Sequence, residues 1–320
     1  MSIYNGDVLS TLRAMDDQSI HCCVTSPPYW GLRDYGCEGQ IGLEPTPEQY
    51  ISKLVEVFRE VRRVLRDDGT LWLNLGDSYF RDPGKGDRSE YLGLNKNIAD
   101  SGCHRASQAR SIPNGMKPKD LVGIPWSVAF ALRADGWYLR QDIIWSKPNP
   151  MPESVRDRCT KAHEYMFLLS KNERYYYKAD AIAEPVVADE ATQKSKNRTR
   201  NEQRGKGDDN GTYHSRGAAT PFSNWKPVRN KRSVWEVGTE PLPEAHFATF
   251  PTALIRPCIL AGCAPGGVVL DPFVGSGTTL LVAEILNCAG IGIELNPEYV
   301  EIAKHRLNQS RFDWRGGFRL

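Results

Sequence analysis

The chain contains no C-x-x-C pair, no Gly-Lys-Ser/Thr and little net charge, and each absence removes a class of protein. Eight cysteines are present, Cys22 and Cys23 adjacent, without the spacing of a zinc ribbon or of a secreted disulfide scaffold. No metal is expected, and a reduced, cytoplasmic setting is the default. Without Gly-Lys-Ser/Thr there is no phosphate-cradling P-loop. A net charge of +2 over 320 residues is not that of a wholly basic nucleic-acid coat, so polyanion contacts must come from local clusters. The opening Met1-Ser2-Ile3-Tyr4-Asn5-Gly6-Asp7 reads as neither signal peptide nor membrane span, and no internal repeat is visible. At 320 residues the chain can hold one large α/β domain plus an appendage, and 40% hydrophobic residues support a real core.

The most informative stretch is Thr25-Ser26-Pro27-Pro28-Tyr29-Trp30. It follows the apolar run Ile20-His21-Cys22-Cys23-Val24, which reads as a buried strand. The prolines therefore stand past a strand's carboxyl end, where open α/β sheets place ligands. Proline has no N–H and a fixed φ. The loop thus offers a stiff row of carbonyl acceptors, the Ser26 hydroxyl and the Tyr29 ring, an arrangement suited to an exocyclic amine on a flat ring.

A second motif lies near the other end. Val268-Val269-Leu270 reads as a strand ending at Asp271, followed by Pro272-Phe273-Val274-Gly275-Ser276-Gly277 and a helix from Thr278. The next strand ends at Glu294, and an acid about twenty residues past a Gly-rich turn is the spacing that grips ribose hydroxyls. Leu280 occupies the place of the third glycine of a dinucleotide fingerprint. The remaining reading is a nucleoside site without a strong phosphate grip.

Together the motifs resemble the beta class of amino-methylating DNA methyltransferases, with Ser26-Pro27-Pro28-Tyr29 as the catalytic motif and Phe273-Val274-Gly275-Ser276-Gly277 as the cofactor motif. The likeness spans residues 1–180 and 240–308. It implies a Rossmann-like α/β methyltransferase domain dependent on S-adenosyl-L-methionine (AdoMet), circularly ordered, with the catalytic motif first and the cofactor motif last. On this likeness, residues 1–180 and 233–320 form the catalytic domain, with a flexible insert at about 80–119, and residues 181–232 form a basic target recognition segment. The implied cofactor-binding set is Asp7, Thr25, Phe250, Asp271, Phe273, Gly275, Ser276, Gly277, Thr278 and Glu294. Asp7 is read equally well as a helix N-cap.

Residues 186–232 hold eleven Lys or Arg against five Asp or Glu, a local +6 in a chain of +2. A solvated linker would also read this way, but position in the resembled family favours phosphate contact. Arg198, Arg200, Arg204, Lys226 and Arg229 are the candidate DNA contacts, with Trp30 beside the flipped base. Residues 80–119 are long and rich in breakers, and so are either functional or disordered. Both stretches are expected to order only on DNA.

Regular elements are expected at 2–4, 8–15, 20–24, a helix from Thr46-Pro47 with its apolar spacing carried to Asp67-Asp68-Gly69, and then 70–75, 124–134, 137–146, 163–170 (extended by Tyr175-Tyr176-Tyr177), 252–261, 268–271, 278–286, 289–293 and 297–307. Residues 31–45 look like a mobile loop.

An exocyclic base amine is a poor nucleophile because its lone pair is spread into the ring. Ser26 and the Pro27 carbonyl would accept its hydrogens and Tyr29 would stack on the extruded base. No cysteine nucleophile is needed, which disfavours methylation at carbon 5. In the resembled family Ser at the first motif position is commoner among cytosine-N4 enzymes and Asp among adenine-N6 enzymes, so cytosine N4 is favoured and adenine N6 is the alternative. More distant alternatives are an inactive DNA-binding protein and a methyltransferase of a non-DNA amine. Double-stranded DNA is the expected partner and a cognate restriction endonuclease a candidate second one; no membrane is involved, and oligomeric state and recognition sequence are not legible.

Overall fold

The computed structural model describes residues 1–80, 115–185, 228–240 and 250–315, with side chains through residue 309. The chain divides into two units, Met1–Lys178 with Ser233–Leu320, and Ala179–Arg232.

In the larger unit, β1 (Ser2–Asn5) is followed by α1 (Val8–Arg13), and Asp7 caps that helix by accepting the Ser10 N–H at 2.8 Å. Strand β2 (Ile20–Thr25) is buried at every position except His21, as its apolar run requires of a central strand. Helix α2 (Pro47–Val64) begins where Thr46 Oγ1 accepts the Gln49 N–H at 3.3 Å, with Pro47 needing no donor partner in the first turn. Its Tyr50, Leu54, Val57, Phe58, Val61 and Val64 recur at helical spacing and are all fully buried, each worth about 1.5–3 kcal/mol if an apolar side chain of that size is taken from water.

Strand β3 (Leu65–Leu75) starts directly after α2, earlier than the expected residue 70: Asp67 to Gly69 belong to the strand and not to the end of the helix. Next come α3 (Ile124–Ala134), β4 (Tyr138–Ser146) and β5 (His163–Ser170). Tyr175-Tyr176-Tyr177 do not extend β5. The Tyr176 N–H turns back to the Asp68 carbonyl at 2.8 Å and Tyr177 stacks near Trp72.

The smaller unit contains β6 (Glu184–Pro185) and β7 (Val228–Arg229), an antiparallel pair in which Glu184 gathers Arg229, Lys231 and Arg232 as ion partners.

The larger unit resumes with β8 (Val234–Glu236), α4 (Thr252–Gly262), β9 (Val268–Asp271), α5 (Thr278–Ile285), β10 (Ala289–Glu294) and α6 (Pro297–Arg315). Strand β8 escaped the sequence reading because three residues carry no periodicity; pairing with β4 defines it.

The eight strands lie in the order β1-β10-β9-β2-β3-β5-β4-β8. The first five are mutually parallel, while β5 runs antiparallel between β3 and β4. Successive strand residues face opposite sides. Cys23, Leu71 and Leu73 join the cluster built with α1, α2 and α3, while Cys22 and Trp72 lie against Gly262 of α4. Helices therefore cover both faces. From β9 the chain moves outward to β10, and from β2 outward to β3. The crevice between the carboxyl ends of β9 and β2 is the topological switch point where such sheets bind ligands. Among the described residues no helix is long and apolar enough to cross a membrane.

Candidate active site

Strands β2 and β9 end at this switch point in Thr25 and Asp271. Both are buried, and Thr25 Oγ1 donates to Asp271 Oδ1 at 2.6 Å. Thr279 Oγ1 donates to Asp271 Oδ2 at 2.6 Å and the Phe273 N–H to Oδ1 at 3.1 Å. Burial outweighs these three donors and pushes the Asp271 carboxyl up to about 6. The two motifs, far apart in sequence, are thus fastened side by side.

The turn after β9 bends through Gly275 (φ 50°) and Gly277 (φ 86°). A Cβ on Gly275 would meet nothing within 4 Å, whereas one on Gly277 would lie 3.1 Å from the Ala303 Cβ of α6. Gly275 therefore keeps the crevice open, and Gly277 serves close helix packing. Glu294 frames the far side: Oε2 accepts the Gly275 N–H and Oε1 the Asn296 N–H, each at 2.9 Å, and burial raises its carboxyl above the usual range. Asn5 Nδ2 donates to the Glu294 carbonyl at 3.0 Å, bringing the end of β1, and with it Asp7, to this edge. Residues 31–45, read as a mobile loop, hold hydrogen bonds of their own: Gln40 Oε1 accepts the Tyr35 N–H at 2.7 Å and Gly42 O accepts the Gly31 N–H at 2.7 Å. Tyr35 packs edge-on to Tyr299, and Glu294 is close enough to help raise its phenol, an effect led by burial.

The Ser276 and Thr278 hydroxyls accept from Arg306 Nη1 at 2.8 and 3.2 Å, which ties the turn to α6. Phe273 is half-buried against the core cluster, and half-buried Phe250 precedes α4.

On the other side of the switch point the Pro-Pro loop is pinned. Tyr50 Oη donates to the Pro28 carbonyl at 2.8 Å. Trp30 is buried, and its ring N–H goes to the Glu44 carbonyl at 2.9 Å. Trp30 is therefore a loop anchor in the core and not the second plate expected beside a flipped base, because a buried indole must spend its N–H on a protein acceptor. The Tyr29 ring lies on Gly76, where a Cβ would come 2.5 Å from Tyr29 Cε2.

The Tyr29 hydroxyl reaches residues the sequence reading missed. It donates to Glu164 Oε2 at 2.7 Å, lies 3.2 Å from Asn74 Oδ1, and receives the Ser26 hydroxyl at 3.5 Å. Asn74 Nδ2 donates to the Tyr165 carbonyl at 3.0 Å and to Glu164 Oε2 at 3.3 Å. Lys147 Nζ is the ion partner of Glu164 Oε1. Lys161, pushed down chiefly by burial, donates to the Asp77 carbonyl at 2.5 Å. The Asp77 carboxylate accepts the Gly123 and Ile124 N–H groups at 3.0 and 3.1 Å and caps α3 from outside, since Gly123 has no side chain to do so. Burial, then Glu164, raise the Tyr29 phenol well above 10. A signal for one of these residues was present: Asn74 is the polar residue within the apolar stretch Leu71–Leu75, and a buried polar group needs a partner.

The chain contains one Pro-Cys dipeptide, Pro257-Cys258, in mid-α4, where Cys258 is buried and bonded to the Leu254 carbonyl. Burial pushes the Cys22 thiol up to about 12 and Cys23 well above its ordinary range. None of these is placed as an attacking thiolate. Among the described residues no group of three His, Cys, Asp or Glu could hold a metal ion. Of the expected DNA contacts, Arg198, Arg200, Arg204 and Lys226 lie outside the described residues, as do 81–114 and 186–227, and Arg229 is ion-paired to Glu184.

The DNA methylase family of N6 and N4 methyltransferases matches residues 20–305. The chain is similar to the type II methyltransferase M.Cfr9I of Citrobacter freundii, at 48% identity over 96% of this chain and 87% of that one. It is equally similar to M.SmaI of Serratia marcescens, at 48% identity over 96% and 90%. Two solved structures share the fold. TTHA0409 of Thermus thermophilus, complexed with S-adenosyl-L-methionine, has 23% identity and a TM-score of 0.58 over 96% and 93% of the two chains. The PvuII DNA methyltransferase, named as cytosine-N4-specific, has 19% identity and a TM-score of 0.62 over 95% and 85%.

Proposed function

The chain belongs to the N6/N4 DNA methylase family, and from that premise we propose that this AdoMet-dependent enzyme methylates N4 of cytosine at a specific duplex site, as the modification partner of a restriction endonuclease in the cytoplasm. The observation that carries the choice of base is Ser26: the acceptor at the mouth of the crevice is a neutral hydroxyl and not a carboxylate. Support comes from the type II methyltransferases at 48% identity.

The crevice fits the cofactor. Gly275 leaves space, Glu294 and Asp7 offer carboxylates to hydroxyl and amine donors, and Phe273 and Phe250 offer apolar faces. Bound there, AdoMet supplies an electrophilic methyl group. The protein's part is positioning and electrostatics. Ser26 Oγ and the Pro27 carbonyl accept the two amine hydrogens and favour the geometry that frees the nitrogen lone pair. Tyr29, held by Glu164 and Gly76, gives the extruded base a fixed plate. Residues 181–232, including the +6 stretch, take the target recognition and phosphate contacts, with 80–119 as a second DNA-facing stretch.

Mass spectrometry of nucleosides from DNA methylated by the enzyme tests the base: N4-methylcytosine supports the reading, and N6-methyladenine overturns it. Base-resolution sequencing of the same DNA gives the site.

A further inference from the structure

A neutral serine can accept a hydrogen bond from the amine, but it cannot keep the proton that the amine must lose once methylated. In this molecule the hydroxyl does not stand alone. Ser26 Oγ donates to Tyr29 Oη at 3.5 Å, and Tyr29 Oη donates to Glu164 Oε2 at 2.7 Å. Both hydrogen bonds run in the same sense, serine to tyrosine to glutamate, so the Ser26 oxygen donates its proton and keeps its lone pairs for the amine. Asn74 Oδ1 competes for the Tyr29 proton at 3.2 Å, and Glu164 is both nearer and charged. The chain of hydroxyls thus ends on a carboxylate.

We propose that Glu164 is the terminal acceptor of the proton released by the methylated amine, reached through Ser26 and Tyr29. This rests on the reading of Ser26 as the group that meets the amine. The proton leaves nitrogen for Ser26 Oγ as the serine proton passes to Tyr29 Oη and the tyrosine proton to Glu164 Oε2. The amine, serine and tyrosine finish neutral and Glu164 finishes as a carboxylic acid. Glu164 returns the proton to water, since its side chain is 16% exposed. The Tyr29 phenol is held well above its ordinary range by burial, so the transfer is concerted and no phenolate accumulates. The long Ser26–Tyr29 contact is of the kind that tightens when substrate is bound.

Among the described residues, the charged and titratable groups facing Glu164 include Lys147, which pairs with Oε1, Lys161, and the Tyr29 hydroxyl. Lys147 is also 4.2 Å from the Trp145 ring centroid and pairs with Oε1, while Oε2 is shared by the Tyr29 hydroxyl at 2.7 Å and Asn74 Nδ2 at 3.3 Å. Glu164 acts through other side chains and is therefore a positioning and relay residue, not one that touches substrate.

The full-length enzyme, a cognate duplex and AdoMet suffice for the test, with Glu164→Gln, Tyr29→Phe and the double variant. Glutamine can still accept the Tyr29 hydrogen bond but cannot take its proton, so a merely structural role predicts near-normal turnover. The relay predicts a fall of about 100-fold in kcat, the usual scale of a lost acid–base group. AdoMet affinity by calorimetry and KM for DNA should be little changed. The double variant should be no slower than the slower single variant. Parent-like kcat in Glu164→Gln overturns the proposal, as do single effects that multiply. If Glu164→Gln loses AdoMet binding through misfolding, Tyr29→Phe decides: parent-like kcat overturns the relay, and a comparable fall at intact AdoMet affinity supports it. N6-methyladenine as product would overturn the base assignment alone, because either amine must shed a proton.

Discussion

Thr25 Oγ1 donates to Asp271 Oδ1 at 2.6 Å across 246 positions of sequence, with both side chains buried. The residue after Thr25 is Ser26, and two residues after Asp271 is Phe273 of the Gly-rich turn. One short hydrogen bond therefore sets the spacing between the group that would meet the amine and the turn that would hold the methyl donor. A 1 Å error in such spacing is expensive in rate.

Asp271 makes that fastening pH-dependent. Its carboxyl titrates at about 6 in the folded protein, against 3.8 ordinarily. The folded state thus binds this proton more tightly than the unfolded state. The contribution is fully present below the ordinary value, is lost as pH rises towards 6, and is flat above that. A shift of this size corresponds to about 3 kcal/mol. Asp271→Asn keeps an acceptor for Thr25 and removes the titration. Urea midpoints of the parent and this variant, compared between pH 4 and 7, should diverge across that window; parallel curves would show that Asp271 does not titrate there.

The two glycines of the turn should respond differently. Gly275→Asn is tolerated by a left-handed φ but fills the open space, so AdoMet binding by calorimetry should fall at least tenfold with a small change in Tm. Gly277→Asp should instead destabilise the fold by about 1–3 kcal/mol, since it meets Ala303 at a strained φ, and should lose AdoMet binding as a consequence. Equal melting losses in the two variants would contradict this division.

Tyr29→Ala should remove the plate for the base, on the order of 1–3 kcal/mol, and cut turnover while leaving AdoMet affinity near the parent value. Gly76→Ala should mimic it in part, because the new Cβ would displace the Tyr29 ring. Unchanged kcat in both variants would remove Tyr29 from the base pocket.

Neutralising Arg198, Arg200 and Arg204 together should weaken DNA binding and flatten the slope of log K against log salt by about 2–3 units if all three meet phosphate. AdoMet binding should survive. An unaltered slope would assign residues 186–232 to a linker and move recognition to 80–119.

The α/β class, most elements of the parallel half-sheet and the two motifs are legible in the residues alone. Each of these rests on local rules: an apolar run before Pro-Pro, a Gly-rich turn between a strand and a helix, a Thr-Pro helix start. Features that depend on distant partners are not legible in this way. Only pairing with β4 makes Val234–Glu236 a strand, and only the Glu44 carbonyl claims the Trp30 ring. Ser276 and Thr278 sit inside the cofactor motif, yet Arg306 on the last helix takes their hydroxyls. Glu164 and Asn74 reach Tyr29 because β5 runs antiparallel beside β3, a register that places Asn74 opposite Met166 and next to Glu164 and Tyr165. Local propensity decides which elements form. Which side chains meet at their ends is decided by the packing of strands far apart in the chain, and the acid–base environment of this site is set there.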